Sequence, residues 1–414
     1  MKQKLNIAIS SYRSTPFGGG QGIFVYELSR ALQSLGHNVD IISGPPYPNL
    51  EPKINLIRSP GLNLFSTFVF KERLKIFLNK KNKSMDDWYE FISALFGGFP
   101  EIKTFGNRLI HLLQNTPYDI LIDNQSLSFG VLQVQNRIPV IEIVHHPITK
   151  DYGYDMQFSK GIIQKISKWR WFSFLKMQKK VAPFMKVIST PSINSKNDIV
   201  KDFNVSKKKI MVIPNGIDHI KFSPKKNINR NPGQLITTAS ADVPLKGLDF
   251  TLKAIHSIKK DFPKIRLIVI GAPRPGGHTE RLIQKLNLEA NIVYKTNLTK
   301  EEIAIEYAYS NIAIVSSLYE GFGFPVGEAM ACSIPLIATN VASIPEITSS
   351  FAELIPEKDP KSIEHAIRKI FLNPSKYQIR ADAGRMHIIE NFDWQKIAQQ
   401  YENLIYQTME EFKC

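Results

Sequence analysis

Short apolar runs alternate along this chain with stretches whose apolar positions recur at helical spacing, and the alternation is played through twice. In the first series residues 5–9 read as a strand. It runs into the glycine-rich segment Gly18-Gly19-Gly20-Gln21-Gly22, and Phe24, Leu28, Ala31, Leu32 and Leu35 then fall on one helical face until Gly36 stops it. Further strands are predicted at 39–42, 54–57, 118–122, 140–144, 187–189 and 210–213. Strands separated by helical stretches predict a parallel sheet covered on both faces.

Residues 214–218, then Phe222-Ser223-Pro224 and a polar run to Pro232, read as a linker. Beyond it a second series predicts strands at 235–238, 265–270, 291–294, 312–315 and 336–338. The fold class is therefore α/β with two doubly wound domains, 1–215 and 216–393. Ligands are expected at the carboxyl ends of the strands. A chain of 414 residues is long for one core, which agrees with two domains.

Composition narrows the class. Hydrophobic residues make up 43% of the chain, as in a globular protein, and two cysteines, Cys332 and Cys414, are too few for a disulfide framework or a cysteine-based metal site. No apolar stretch reaches the length of a spanning helix, and the N-terminal apolar run looks like a first strand rather than a secretory signal. The expected location is the cytoplasm, with attachment to the inner face of the cytoplasmic membrane as an option. That option comes from charge. The net charge is +16, and residues 1–200 hold 25 Lys/Arg against 14 Asp/Glu, whereas residues 201–414 hold 28 against 23. The excess gathers at 68–83 and at 160–186, where Trp169, Trp171, Phe172 and Phe174 interleave with Lys165, Lys168, Arg170, Lys176, Lys179 and Lys180. Such a segment suits an anionic membrane surface. It equally describes a solvated helix with its aromatics turned inward, and less well a nucleic-acid surface.

The richest chemistry lies in Leu318-Tyr319-Glu320-Gly321-Phe322-Gly323-Phe324-Pro325-Val326-Gly327-Glu328, between the apolar run 311–316 and a helical pattern. Glu320 is placed in a strand-to-helix turn and Glu328 in the first turns of the helix. Backbone N–H groups at a helix start attract anions, and carboxylates held to the side accept hydrogen bonds from hydroxyls. A ligand with both phosphates and hydroxyls fits that pairing. Two acids near a helix start also arise for purely structural reasons.

The whole string resembles the E-x7-E signature of the retaining glycosyltransferases of family 4, and 331–339 with Ile344-Pro345-Glu346-Ile347 looks like that family's next strand and loop. The resemblance implies the GT-B fold, two Rossmann-like domains facing across a cleft, with the final helix, 394–414, crossing back to the first domain. It implies a metal-independent enzyme with no cofactor, moving a hexosyl group from a nucleotide-diphosphate sugar to a lipid-linked or saccharide acceptor. By the same resemblance Glu320 and the backbone of Gly321, Phe322, Gly323 and Phe324 hold the donor sugar and phosphate, and Glu328 binds ribose. Gly19, Gly20 and Gly22 border donor and acceptor. Tyr294 and Thr296 lie where the donor base is read.

Three further sites complete that expectation. His145-His146-Pro147 follows a predicted strand, and His145 matches the family's active-site histidine, although a structural histidine at a strand end looks the same. His146, Asp151 and Asp155 are candidate acceptor contacts. Lys246-Gly247 matches the family's Lys-Gly pair, a mobile charge for a diphosphate. Ala241 stands where the family usually has an arginine, and Arg274 is the candidate replacement. The glycine loop departs from G-x-G-x-x-G because Val25 and Tyr26 follow Gly22, which argues against a dinucleotide site. Competing readings are another GT-B enzyme, an epimerase or phosphorylase, and a basic binding protein without catalysis.

Overall fold

The computed structural model describes residues 3–15, 20–114, 116–159, 161–225, 227–239 and 242–413. The chain divides into two compact units, one running to Pro214 and taken up again from Ile397, the other Asn215–Lys396.

The first unit is built on seven strands: β1 (Asn6–Ser11), β2 (Asn38–Ser43), β3 (Asn55–Arg58), β4 (Ile120–Asn124), β5 (Val140–Ile143), β6 (Val187–Thr190) and β7 (Ile210–Val212). They form one sheet in the order β3-β2-β1-β4-β5-β6-β7, every neighbouring pair parallel. The helices are α1 (Gly20–Ser34), α2 (Phe70–Asn79), α3 (Met85–Leu95), α4 (Glu101–Leu112), α5 (Phe129–Val134), α6 (Thr149–Phe158), α7 (Ile162–Trp171), α8 (Leu175–Val181) and α9 (Ile193–Phe203). Fully buried strands such as β4 and β5 are apolar along most of their length because both faces are covered. Gly22 is required where α1 meets the chain before it, since a Cβ there would stand 2.3 Å from the carbonyl oxygen of Thr15.

The second unit carries β8 (Gln234–Thr238), β9 (Arg266–Ile270), β10 (Ile292–Lys295), β11 (Ile312–Val315), β12 (Leu336–Thr339) and β13 (Glu353–Ile355), in the parallel order β10-β9-β8-β11-β12-β13. Its helices are α10 (Leu248–Ile258), α11 (His278–Lys285), α12 (Lys300–Tyr309), α13 (Phe324–Ala331), α14 (Ile344–Thr348), α15 (Pro360–Leu372) and α16 (Pro374–Asn391). Two apolar clusters fill this unit, one containing Phe222, Phe322 and Phe392, the other Leu252, Ile255 and Ile367. The last helix, α17 (Trp394–Lys413), returns to the first unit from Ile397 onward. There Tyr401 packs edge-on to Phe24 and reaches Ser189, and Glu402 bonds His37 at 3.2 Å.

The stretch read as a linker is partly core. Ile217 and Phe222 are buried, and Ile217 N–H bonds the carbonyl of Phe392 at 2.7 Å. Two apolar residues in a polar, proline-containing run are too few to show periodicity. β13, a three-residue strand at the sheet edge, had no sequence signal for the same reason. In the 160–186 segment the aromatics divide. Phe172 and Phe174 are buried and Trp171 stacks on Phe99 at 5.2 Å, whereas Trp169 is exposed. Among the described residues no helix is long and apolar enough to cross a membrane.

Candidate active site

In both sheets the chain steps outward in one direction and then returns to the other side of the first strand. The loops after β1 and β4 part at that point in the first unit, and those after β8 and β11 in the second, which opens the crevice where doubly wound sheets bind ligands.

The second unit's crevice holds Lys246 and Glu320. Gly247, with φ +62°, fits beneath β11 only because it lacks a side chain: a Cβ would lie 1.9 Å from the Ser316 carbonyl oxygen. Ser316 Oγ lies 3.0 Å from the Gly247 carbonyl and 3.3 Å from that of Lys246, and Leu318 N–H bonds the Leu245 carbonyl at 2.7 Å. The two loops are thus tied together by the Ser316 hydroxyl and one backbone bond. The result is a Lys246 ammonium 2.7 Å from Glu320 Oε1, which also accepts from Ser317 Oγ at 2.7 Å. Glu320 is only 9% exposed. Its own carbonyl and that of Phe322 are held by Ser343 Oγ at 2.8 and 2.7 Å, and Thr339 Oγ1 bonds the Ser317 carbonyl at 2.5 Å. Gly323, at φ +103°, begins α13. Phe322 turns its ring inward, 6.0 Å from that of Phe392, so only its backbone is placed to meet a ligand.

Glu328 stands in the second turn of α13 and is half-buried. Burial pushes its carboxyl up to about 7 against the pull of Lys300, and Asp218 adds to the rise. Arg274 is exposed and lies 3.9 Å from Asp242. That aspartate caps α11, accepting from Thr279 N–H at 2.7 Å and His278 N–H at 3.1 Å. Burial opposes its ionisation, but these bonds and Arg274 hold its carboxyl below the usual range. The structure therefore brings Arg274 to the loop that follows β8, one position beyond Ala241, which itself lies outside the described residues. Tyr294, half-buried, and Thr296, exposed, stand at the end of β10, the edge strand two places from β8.

In the first unit His145 follows β5 and is 9% exposed. Its Nε2 lies 2.8 Å from Asn124 Oδ1, and the Asn124 amide nitrogen donates to Ser11 Oγ at 3.2 Å. That chain makes Nε2–H the donor and leaves Nδ1 as the basic nitrogen. Burial, and then His146, push His145 down to about 3, so the ring is neutral. Gln125 accepts from His145 N–H at 3.0 Å and donates to the His146 carbonyl at 2.9 Å. Gln125 and Leu127 both have positive φ, +62° and +44°. A buried acid pair holds this strained loop: Asp123 accepts from Ser126 N–H at 2.9 Å and Glu142 from Leu127 N–H at 3.1 Å. The two acids face each other across β4 and β5. Burial, then the charge of Asp123, drive Glu142 well above the ordinary range, and burial raises Asp123 as well.

His146 bonds Asp151 at 2.7 Å, and Asp155 is engaged by Lys168 at 2.5 Å. Gly20 opens α1 at the surface. Gly19 lies outside the described residues. Sequence reasoning missed Ser317, Ser343, Asn124, Gln125 and the Asp123–Glu142 pair. The available signal was polar residues directly after apolar strands, as in Ser316-Ser317 and Asp123-Asn124-Gln125. Among the described residues no group of three or more His, Cys, Asp or Glu side chains is placed to hold a metal ion.

Comparison with known proteins agrees with this architecture. The family model of the glycosyl transferases group 1 matches residues 219–387, and that of glycosyltransferase family 4 matches residues 18–221. An MMP alpha-(1->4)-mannosyltransferase from Mycolicibacterium hassiacum is 34% identical over 403 residues, covering 96% of this chain and 96% of that protein. A probable sucrose-phosphate synthase from Thermosipho melanesiensis is 25% identical over 424 residues, covering 94% and 91%. Among solved structures, sucrose-phosphate synthase from Thermosynechococcus elongatus superimposes with a TM-score of 0.75 at 21% identity, covering 98% of this chain and 99% of that one. WaaG, a glycosyltransferase involved in lipopolysaccharide biosynthesis, gives 0.69 at 15% identity, covering 96% and 99%. The class is the GT-B glycosyltransferases. Within it, the chain belongs to family 4, the glycosyl transferases group 1.

Proposed function

We propose that this glycosyltransferase moves a hexosyl group, with retention and without a metal, from a nucleotide-diphosphate sugar to a lipid-linked or saccharide acceptor, as a peripheral protein of the inner face of the cytoplasmic membrane. The observation that carries the reading is the buried Glu320 carboxylate, fixed by Lys246 and Ser317 at the switch point of the second sheet. A carboxylate so held has lone pairs for vicinal sugar hydroxyls. The ammonium beside it is a charge for the diphosphate that leaves, in a site already organised for it.

Glu328 is assigned to ribose hydroxyls and the backbone of Gly321 to Phe324 to phosphate and sugar, with Arg274 as a second cation. Neutral His145 accepts a hydrogen bond from a sugar hydroxyl at Nδ1 and so orients the reacting sugar. Tyr294 and Thr296 are assigned to the base, His146 and Asp151 to the acceptor. In the reaction the anomeric carbon–phosphate oxygen bond breaks, the acceptor hydroxyl attacks from the same face, and its proton passes to the departing phosphate oxygen. The mannosyltransferase named above makes mannose the first sugar to test.

The test is acceptor-dependent release of nucleoside diphosphate from UDP-, GDP-, ADP- and TDP-sugars, with EDTA present and the anomeric configuration of the product read by NMR. Donor binding is read separately as thermal stabilisation. Inversion of the anomer, or loss of turnover with EDTA, would overturn those parts of the proposal. Nucleotide release or epimer formation without an acceptor would move the reading to another GT-B reaction.

A further inference from the structure

Helix α3 is inside out. Its buried side carries Asp87 and Glu90, each 1% exposed, with Phe91 and Ala94. Its outer side carries Met85, Trp88, Tyr89 and Ile92, continued by Phe96 just past its end, all between 44% and 90% exposed. These positions follow one another at helical spacing, so they form a single stripe. The rotation of the helix is pinned by its acids. Asp87 accepts from Lys80 at 2.6 Å and closes a capping box with Ser84. Glu90 accepts from Arg108 at 2.9 Å, from Thr104 at 2.5 Å and from Leu62 N–H at 2.8 Å. Turning the stripe inward would strip those buried partners, which is more costly than leaving apolar side chains in water.

The stripe continues into a cationic hollow. A cavity of about 250 Å³ lies at its edge, lined by Tyr89 and Ser93 of α3, Lys103 of α4, Phe129, and Lys176 and Lys180 of α8, with no carboxylate in its lining. Lys103 stands over the Tyr89 ring at 4.4 Å, and Lys176 over the ring of Trp169 at 5.3 Å. Trp169 ends a second exposed apolar row on α7, formed with Ile162, Ile163 and Ile166. Lys71, Lys75 and Lys81 are exposed on and after α2, which packs against α3.

We propose that the α3 stripe, with the cavity beside it, seats the protein on an anionic lipid bilayer, the apolar side chains entering the interface and Lys103, Lys176 and Lys180 taking a phosphate-bearing headgroup. Apolar side chains ringed by cations match such a surface in both respects. A second copy of the chain fits less well, because pairing like faces would set the same lysines against each other. The inference rests on the peripheral placement proposed above and not on the transfer reaction.

The experiment measures binding of the full chain to vesicles of equal parts phosphatidylcholine and phosphatidylglycerol, and to phosphatidylcholine alone. The variants are Trp88→Glu with Ile92→Glu, and Lys176→Glu with Lys180→Glu. Leu372→Glu, an exposed apolar position in the second unit, is the control. Each α3 or α8 double variant is expected to lose more than about tenfold in affinity for the anionic vesicles. Melting temperature and transfer to a soluble acceptor should be unchanged, and the control should bind as wild type. Equal binding to neutral vesicles, or wild-type binding by both double variants, overturns the proposal. So does a wild-type dimer that the α3 variant dissociates. Lost vesicle binding with transfer intact supports docking independently of the reaction, and lost transfer with docking intact counts against the catalytic reading alone.

Discussion

Gly247→Ala separates the geometry of Lys246 and Glu320 from their chemistry, because neither side chain is touched. Two effects add. A non-glycine residue at φ +62° costs about 1–2 kcal/mol. The new Cβ would also start 1.9 Å from the Ser316 carbonyl oxygen, so the loops must part by about 1.5 Å to reach ordinary contact. With the overpacking cost, destabilisation should total about 2–5 kcal/mol. A shift of that size breaks the 2.7 Å contact between Lys246 and Glu320, and a misplacement of ~1 Å in a catalytic group costs about 100-fold. Gly36→Ala is the matched control. Gly36 has φ +98°, and a Cβ there would meet nothing within 4 Å, so the substitution incurs strain without displacement. The assay is kcat/KM for acceptor-dependent nucleotide release, with thermal melts of both variants. Gly247→Ala should melt lower and lose turnover, while Gly36→Ala should melt slightly lower and turn over normally. Wild-type kcat/KM in Gly247→Ala would refute the claim that this loop contact positions the site.

Other outcomes follow from buried charge. Both carboxyl oxygens of Glu101 are buried without a hydrogen-bond partner, and burial pushes the group up to about 8 against Arg13. The folded chain keeps a proton that the unfolded chain releases near pH 4.5, so this group's contribution is full below that pH and falls as pH rises toward 8, by at most about 1.4 kcal/mol per unit. Glu101→Gln should remove that slope from urea midpoints measured at pH 5 and 8; equal slopes would reject it. In the ribose-binding role proposed for it, Glu328, pushed up to about 7, would accept hydroxyls best when ionised, so donor affinity should rise with pH through neutrality. Calorimetry at pH 6 and 8 checks this, and Glu328→Gln should be flat. Asp242→Ala uncaps α11 and releases Arg274, which should cost about 1–2 kcal/mol in stability and weaken donor binding.

The strand ladder and the E-x7-E site were legible because each depends on short-range pattern. Apolar runs mark β1, β4, β5 and β11 whatever lies around them, and Glu320 and Glu328 are linked by a single turn and helix. The contacts that hold the site were not legible, although Lys246 itself was picked out from the sequence. Ser343 is 23 positions from Glu320, and Lys246 is 74 positions away, so their contacts depend on how β8, β11 and β12 lie side by side. Asp123 and Glu142 face one another only once β4 pairs with β5. The 160–186 segment was ambiguous for the same reason: spacing alone does not decide which of Trp169 and Trp171 meets solvent.

The sequence by itself determined the class of fold, the place of the carboxylates and the excess of positive charge in the first half. Those properties follow from local periodicity and composition, which every conformation of the chain shares. Only the tertiary structure decided which cation meets Glu320, which nitrogen of His145 stays basic, and which side of α3 faces outward. Each of these is an outcome of burial. A buried ionised acid is stable only beside a partner, and in α3 the partners of Asp87 and Glu90 outweigh the apolar stripe and turn it to the surface.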